Sequence, residues 1–243
     1  MSGHSKWATI KRKKAKNDSQ RGKLFTRLSK EIIIAARNGG ADPAGNMRLK
    51  SAIEKAKAAN IPNENIQRAI QKGIGGGEGA NFEEFSYEGY GPGGVAILLD
   101  VATDNRNRTA GEVRHILSKH GGNLGETGCV SWMFKKQGII IIDRTETKLN
   151  EDEIMLAALE AGAEDVKVED DSFEIITAPE NLTAVESSLT EQGIPVAEAE
   201  ITMIPQTTIK LQGEEAEKMV KLIEMLEDND DVQAVYTNFE QEE

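Results

Sequence analysis

The chain has 243 residues, of which 38% are hydrophobic, 29% charged and only 5% aromatic. The length suits one large domain or two to three small ones, and the apolar material is enough for aliphatic cores and excludes wholesale disorder. No run of about 18 apolar residues is available to cross a membrane, Met1-Ser2-Gly3-His4-Ser5-Lys6-Trp7 lacks the apolar stretch of a secretory signal, and the single cysteine, Cys129, excludes an intrachain disulfide framework and a cysteine-cluster metal site. The expected location is the cytoplasm. The net charge of −12 hides a division: residues 1–80 hold 17 Lys+Arg and 6 Asp+Glu, whereas residues 81–243 hold 12 and 35. A basic head on an acidic body points to a polyanionic partner for the head, from which the body is repelled.

Residues 5–18 are mostly basic and read as an arm, with Lys6, Lys11, Arg12, Lys13, Lys14 and Lys16. Leu24, Leu28 and Ile32 recur every four residues, which predicts a helix closed by Gly39-Gly40. Asp42-Pro43 is expected to cap and open a second helix running to about Ala59. Pro62 opens a third, with Ile66, Ala69 and Ile70 inward and Gly73 as its stop. A glycine-rich linker, 73–79, follows. Val95–Thr103 reads as a buried strand, Asn107–Lys119 as a helix, and Cys129–Phe134 and Ile139–Asp143 as strands around a turn at 135–138. From Ile139 to Ile204 the order is βαββαβ, the ferredoxin-like unit, and residues 207–239 add one more βαβ. The expected fold is α+β and multidomain: a three-helix bundle and arm (1–80), a discontinuous α/β domain (81–137 with 205–243), and a ferredoxin-like domain (138–204) inserted into it.

The arm's lysines and arginines suit a row of phosphates, which they neutralise with release of counterions. Arg12 and Arg21 have the fork for phosphate oxygens, and Lys23 and Arg27 carry the charge along the first helix. Trp7 reads either as a ring to stack on an unpaired base or as an anchor pinning the arm to the bundle. The third helix carries Gln67, Arg68, Gln71 and Lys72, side chains able to read base edges or simply to face water. Tyr87-Glu88-Gly89-Tyr90-Gly91-Pro92-Gly93-Gly94 reads as a glycine-rich loop presenting Tyr87 and Tyr90, or as a structural turn. Arg106 and Arg108 open the next helix, where free N–H groups favour phosphate, or else Asp104 or Asn105 caps that helix and the arginines are solvated. Gly75-Gly76-Gly77-Glu78-Gly79-Ala80 matches a dinucleotide pattern but follows a helix, so its context fails. His4, His115 and His120 lack metal-ligand spacing, and no acid, base and nucleophile assemble into a site. No catalytic residue, metal or cofactor is expected, nor a small-molecule substrate or a membrane.

Several stretches resemble the YebC/PmpR family, whose relatives include the mitochondrial translational activator of cytochrome c oxidase. They are Gly3-His4-Ser5-Lys6-Trp7, Lys11-Arg12-Lys13-Lys14-Ala15-Lys16, Gly39-Gly40-Ala41-Asp42-Pro43, Asn60-Ile61-Pro62, the Tyr87–Gly94 stretch, Thr103-Asp104-Asn105-Arg106-Asn107-Arg108-Thr109 and Gly121-Gly122-Asn123-Leu124-Gly125. The resemblance spans essentially the whole chain. It implies a three-domain protein without catalytic residues and a nucleic-acid-directed role. The leading expectation is a translation factor that binds rRNA of the large ribosomal subunit and relieves stalling, as at proline runs. The alternative is a DNA-binding transcriptional regulator using the same head.

Overall fold

A computed structural model describes Trp7, residues 21–75 and residues 81–241. Among these the α-helices are α1 (Arg21–Gly39), α2 (Met47–Ala58), α3 (Asn63–Ile74), α4 (Arg106–Lys119), α5 (Glu151–Glu160), α6 (Leu182–Glu191) and α7 (Gly213–Glu227). The strands are β1 (Glu83–Tyr90), β2 (Ala96–Thr103), β3 (Asn123–Leu124), β4 (Phe134–Asp143), β5 (Asp165–Val168), β6 (Ser172–Thr177), β7 (Glu198–Pro205), β8 (Ile209–Leu211), β9 (Val232–Thr237) and β10 (Phe239–Gln241). The fold is α+β and multidomain. It divides into two compact units, one within 16–131 and 213–237, the other comprising Trp7, 132–212 and the residues after 237.

In the first unit α1 packs against both α2 and α3. Its second half is buried through Ile32, Ile33, Ala35 and Ala36, which meet Leu49, Ala56, Ile66 and Ile70. Each buried isoleucine or leucine contributes about 1.5–3 kcal/mol. The cap of α2 is Asn46, not the expected Asp42. Asn46 Oδ1 accepts from Leu49 N–H at 3.0 Å, while Nδ2 donates to the Ala35 and Gly40 carbonyls at 2.8 and 2.9 Å. One buried amide thus ties the end of α1 to the start of α2, whereas Asp42 only turns the loop by accepting from Ala44 N–H. Gly73 lies inside α3 rather than ending it. A Cβ there would sit 2.9 Å from Ala36 Cβ and closer still to the Ile33 carbonyl, so glycine is what lets α3 approach α1.

The sheet of this unit runs β3-β1-β2-β9, all antiparallel. Helices α4 and α7 pack on each other, and Val113, Leu117, Met219, Leu222 and Leu226 are buried with Ile97, Leu99 and Val101 of β2. The hairpin β1–β2 pairs Tyr87 with Leu99 and Tyr90 with Ala96. The first half of the loop expected at Tyr87–Gly94 is therefore the second half of a strand, and its other half holds a short 3-10 turn at Pro92–Gly94.

The second unit has the sheet order β5-β6-β4-β7, antiparallel throughout, with connectivity β4-α5-β5-β6-α6-β7. This is the expected ferredoxin-like arrangement. Ile140, Ile142, Phe173 and Ile175 face Ile154, Ala158, Val185 and Leu189 of the helices. The opposite face holds Ile139, Ile141 and Ile176. The expected turn at 135–138 is strand instead: β4 runs unbroken from Phe134, Lys135 pairing with Ile204 and Gly138 lying between Ile201 and Thr177. A Cβ at Gly138 would overlap Thr177 Oγ1 and crowd Leu182, so this glycine is a close-approach position within the sheet. The strand expected at Cys129–Phe134 is a turn and a 3-10 segment, Ser131–Met133. Strand β8 pairs in parallel with β10, and not with β9.

Candidate nucleic-acid interface

The helical head presents a helix, a four-residue turn and a helix. Between α2 and α3, Asn60 adopts φ 57°, the left-handed region that asparagine tolerates. Buried Ile61 anchors the turn to the core. Beyond it, α3 buries Ile66, Ala69, Ile70 and Gly73 and leaves Asn63, Asn65, Gln67, Arg68, Gln71 and Lys72 exposed. Arg68 pairs with Glu64 one turn back on the same exposed face. Lys50, Lys55 and Lys57 of α2 are exposed too. An amide- and guanidinium-bearing helix behind a tight turn is the element that helix-turn-helix proteins lay in a major groove.

Of the arm, Lys6, Lys11, Arg12, Lys13, Lys14 and Lys16 lie outside the described residues, as does the side chain of Arg21. Trp7 is described: it is 7% exposed and packs with Ile139, Ile141 and Ile176 on the sheet of the second unit. It anchors, as one reading of the sequence held, but on that sheet rather than on the helical bundle.

Lys23 and Arg27 face the C-terminus of α7. Lys23 Nζ donates to the Asp228 carbonyl at 3.0 Å, Arg27 Nη2 to the Glu227 carbonyl at 2.6 Å, and Lys30 Nζ to the Asp230 carbonyl at 2.8 Å. Lys23 and Arg27 thus satisfy carbonyls at the end of α7, where the helix dipole also favours positive charge, and Lys30 binds a carbonyl of the turn that follows. Burial pushes the Arg27 guanidinium below its ordinary value, against the opposing pull of Glu227, Asp228 and Asp230. These cations hold the bundle to α7, which sequence periodicity gave no means of foreseeing.

Asp231 is the centre of this contact. Its carboxylate accepts from Lys30 Nζ at 2.7 Å and Arg108 Nη2 at 2.7 Å, with the hydroxyls of Thr109 and Thr103 at 2.8 and 3.1 Å. Burial works against its charge, but the bonds from Arg108, Lys30 and Thr109 prevail and hold it at about 2. Arg108 also reaches Asp104 at 3.0 Å. Its guanidinium is therefore engaged inside the unit, and Asn105, not an anion, caps α4 by accepting from Arg108 N–H.

Arg106 is held more loosely, 3.9 Å from the exposed Glu83 carboxylate. Its side chain is 61% exposed and lies over the Phe85 ring, 4.3 Å from the centroid. Phe85 meets Tyr87 edge to face at 5.0 Å, and the Tyr87 hydroxyl donates to the Arg106 carbonyl at 3.3 Å. Burial raises the Tyr87 hydroxyl above its ordinary value, with Arg106 and Arg114 pulling the other way. β1 and the start of α4 gather Phe85, Tyr87 and Arg106 into one cluster at the surface. Phe85 was not singled out from the sequence, although the alternation of Phe85 and Tyr87 with Glu84, Ser86 and Glu88 carries the two-residue period of a strand. Tyr90 falls on the opposite face and donates to the Cys129 carbonyl at 3.1 Å. Beside it, Glu88 accepts from Gly128, Val130 and Ser131 N–H, each at 2.7 Å. Burial disfavours this charge, yet the three amides hold the carboxyl below its ordinary value. Among the described residues no group of His, Cys, Asp and Glu could hold a metal ion, and no helix is long and apolar enough to cross a membrane.

A family model for the TACO1/YebC protein N-terminal domain matches residues 5–76, and one for the TACO1/YebC second and third domain matches residues 82–239. A protein of Desulforamulus reducens named a probable transcriptional regulatory protein is 81% identical over 242 residues, covering 100% of both chains. One of Pelotomaculum thermopropionicum with the same name is 61% identical over 243 residues, again covering 100% of both. The crystal structure of a conserved hypothetical protein from Aquifex aeolicus superposes with a TM-score of 0.83 at 51% identity and covers 94% of each chain.

Proposed function

The chain belongs to the TACO1/YebC family, and on that premise we propose that it is a regulator of gene expression that acts in the cytoplasm by binding nucleic acid rather than by catalysis. The basic head, residues 1–80, is the docking element. Lys6, Lys11, Arg12, Lys13, Lys14 and Lys16 neutralise phosphates, and the acidic body is held away from the polyanion. The first reading of the polyanion is duplex DNA. It is carried by the exposed Gln67–Lys72 face of α3 behind the left-handed turn at Asn60, the arrangement that fits a helix into a major groove. The names of the relatives, probable transcriptional regulatory proteins, support it.

A second reading is favoured by a different observation. The cluster of Arg106, Phe85 and Tyr87 offers guanidinium and aromatic planes of the kind on which unpaired RNA bases stack. On this reading the protein is a translation factor docking on rRNA of the large ribosomal subunit and easing stalling at sequences such as proline runs. Crosslinking bound nucleic acid in cells and sequencing it separates the two. Recovery of genomic fragments supports regulation of transcription, and recovery of discrete rRNA positions supports the ribosome. Recovery of neither removes the proposal.

A further inference from the structure

Helix α5 has two apolar faces, and the fold uses one. Ile154, Ala157 and Ala158 are turned into the core of the second unit. Met155, Leu156 and Leu159 are 39%, 59% and 53% exposed. They fall at positions i, i+1 and i+4, so with Asp152 they form one stripe on the outer side of the helix. Single exposed leucines are ordinary, but a cluster of three on a ten-residue helix is an exposed patch of the sort that marks an interaction site.

The patch is held in shape. A capping box fixes the start of α5: Asn150 accepts from Glu153 N–H at 3.0 Å, and the Glu153 carboxylate accepts from Asn150 N–H at 2.9 Å. A surface already ordered loses little entropy on binding. Its surroundings are acidic. Asp152 and Glu160 are exposed on α5, Glu151 and Glu153 stand at its first turn, and residues 132–212 hold 17 Asp+Glu against 6 Lys+Arg. That field repels nucleic acid and anionic lipid, and it selects a cationic partner.

We propose that the outer face of α5 docks a helix of another protein, one that presents leucine-like side chains rimmed by lysine or arginine. Apolar anchors would insert between Met155, Leu156 and Leu159, with the basic rim meeting Asp152 and Glu160. This goes beyond binding by the basic head, since it assigns a protein partner to the acidic unit.

The test uses the full chain and two fluorescent peptides of about 18 residues, long enough to be helical. One has leucine on one face and lysine elsewhere, and the other replaces lysine by glutamate. Anisotropy is expected to report binding of the lysine peptide, weakening with salt, and none of the glutamate peptide. Leu156→Ser with Leu159→Ser is expected to weaken binding about tenfold or more, in keeping with loss of central anchors. Both side chains are exposed, so the variant keeps its fold, checked by an unchanged unfolding transition. Equal affinity of the double variant for the lysine peptide would overturn the proposal, because the peptide would then be held by net charge alone. Equal binding of both peptides, or no binding of either, would overturn it too. So would self-association of the chain that the double variant abolishes, which would make a second copy the occupant.

Discussion

Lys30 of α1 and Asp231, in the turn before β9, meet at 2.7 Å with side chains only 12% and 7% exposed. This pair, with Arg108, Thr103 and Thr109, binds a helix from the basic head to the loop that follows α7. Asp231→Asn keeps the shape and removes the charge, leaving Lys30 and Arg108 facing each other without it. A loss of about 2–4 kcal/mol is expected in denaturant unfolding. A change of under about 0.5 kcal/mol, typical of ordinary surface positions, would show that the contact contributes little.

The same carboxylate sets an acid dependence. Its value in the fold, about 2, lies below the ordinary 3.8. A depressed carboxyl stabilises the fold above the ordinary value, and that stabilisation is lost as pH falls through about 2. The gap corresponds to roughly 2 kcal/mol. The native protein is expected to lose this increment between about pH 4 and pH 2, whereas D231N lacks it at every pH. Parallel stability curves for the two proteins over this range would contradict the assignment.

Glu88 organises the loop over 125–131 through three backbone amides. Glu88→Gln supplies one carbonyl oxygen where two carboxylate oxygens were shared, so at least one amide loses its acceptor at a cost of about 1–3 kcal/mol. Hydrogen exchange at Gly128, Val130 and Ser131 is expected to accelerate, with β2 unaffected. Since the Glu88 carboxyl is held below its ordinary value, the native loop is expected to loosen as pH falls. Unchanged exchange at the three amides would remove Glu88 from this role.

Tyr87 and Tyr90 lie on opposite faces of β1 and are expected to separate in function. Tyr87→Ala is expected to weaken binding of single-stranded RNA by about 1–3 kcal/mol, the scale of a lost stacking ring, and Arg106→Ala to act in the same direction. Tyr90→Phe is expected to leave RNA binding unchanged and to affect only stability. Electrophoretic titration with unstructured RNA measures all three. Equal effects of the Tyr87 and Tyr90 changes would dissolve the cluster as a binding feature.

Much of this fold was legible in the sequence because helices and buried strands repeat their apolar residues. The periods at Leu24–Ile32, Ile66–Ile70 and Ile139–Ile142 place α1, α3 and β4 on their cores. β1 is hard to read in the sequence because the glycines and proline at Gly89–Gly94 have the composition of a turn, while the strand's alternation is carried by acids and half-exposed aromatics. The start of β4 reads as a turn because of Lys135, Lys136 and Gly138, yet the lysines are exposed strand positions and the glycine makes room for Thr177. For the candidate site, composition identified the basic head but not what its cations contact. Lys23, Arg27 and Arg108 find carbonyls and carboxylates about 120–205 residues away in the chain, and no local pattern encodes such pairings.

Lys23 and Arg27 belong to stability on this view, and Lys13 and Lys14 to binding. Arg27→Ala is expected to cost about 1.5–3 kcal/mol in unfolding through loss of a charged hydrogen bond, and to leave the salt dependence of nucleic-acid binding untouched. Lys13→Glu with Lys14→Glu is expected to do the reverse, flattening the salt slope by roughly 0.7–0.9 per lost phosphate contact. Swapped outcomes would mean that α1, not the arm, lies against the polyanion.

Binding isotherms of the whole chain for preferred and scrambled duplex DNA, taken over a range of salt and repeated with Gln67, Arg68 and Gln71 changed to Ala, test the role of the head most directly. The expected result is tight, salt-sensitive binding by the native protein. The triple variant is expected to keep the salt slope but lose about 1–3 kcal/mol of discrimination for each lost base contact. If the native chain binds neither duplex nor single-stranded nucleic acid at low salt, or if the triple variant discriminates as well as the native chain, the head is not a DNA-reading element.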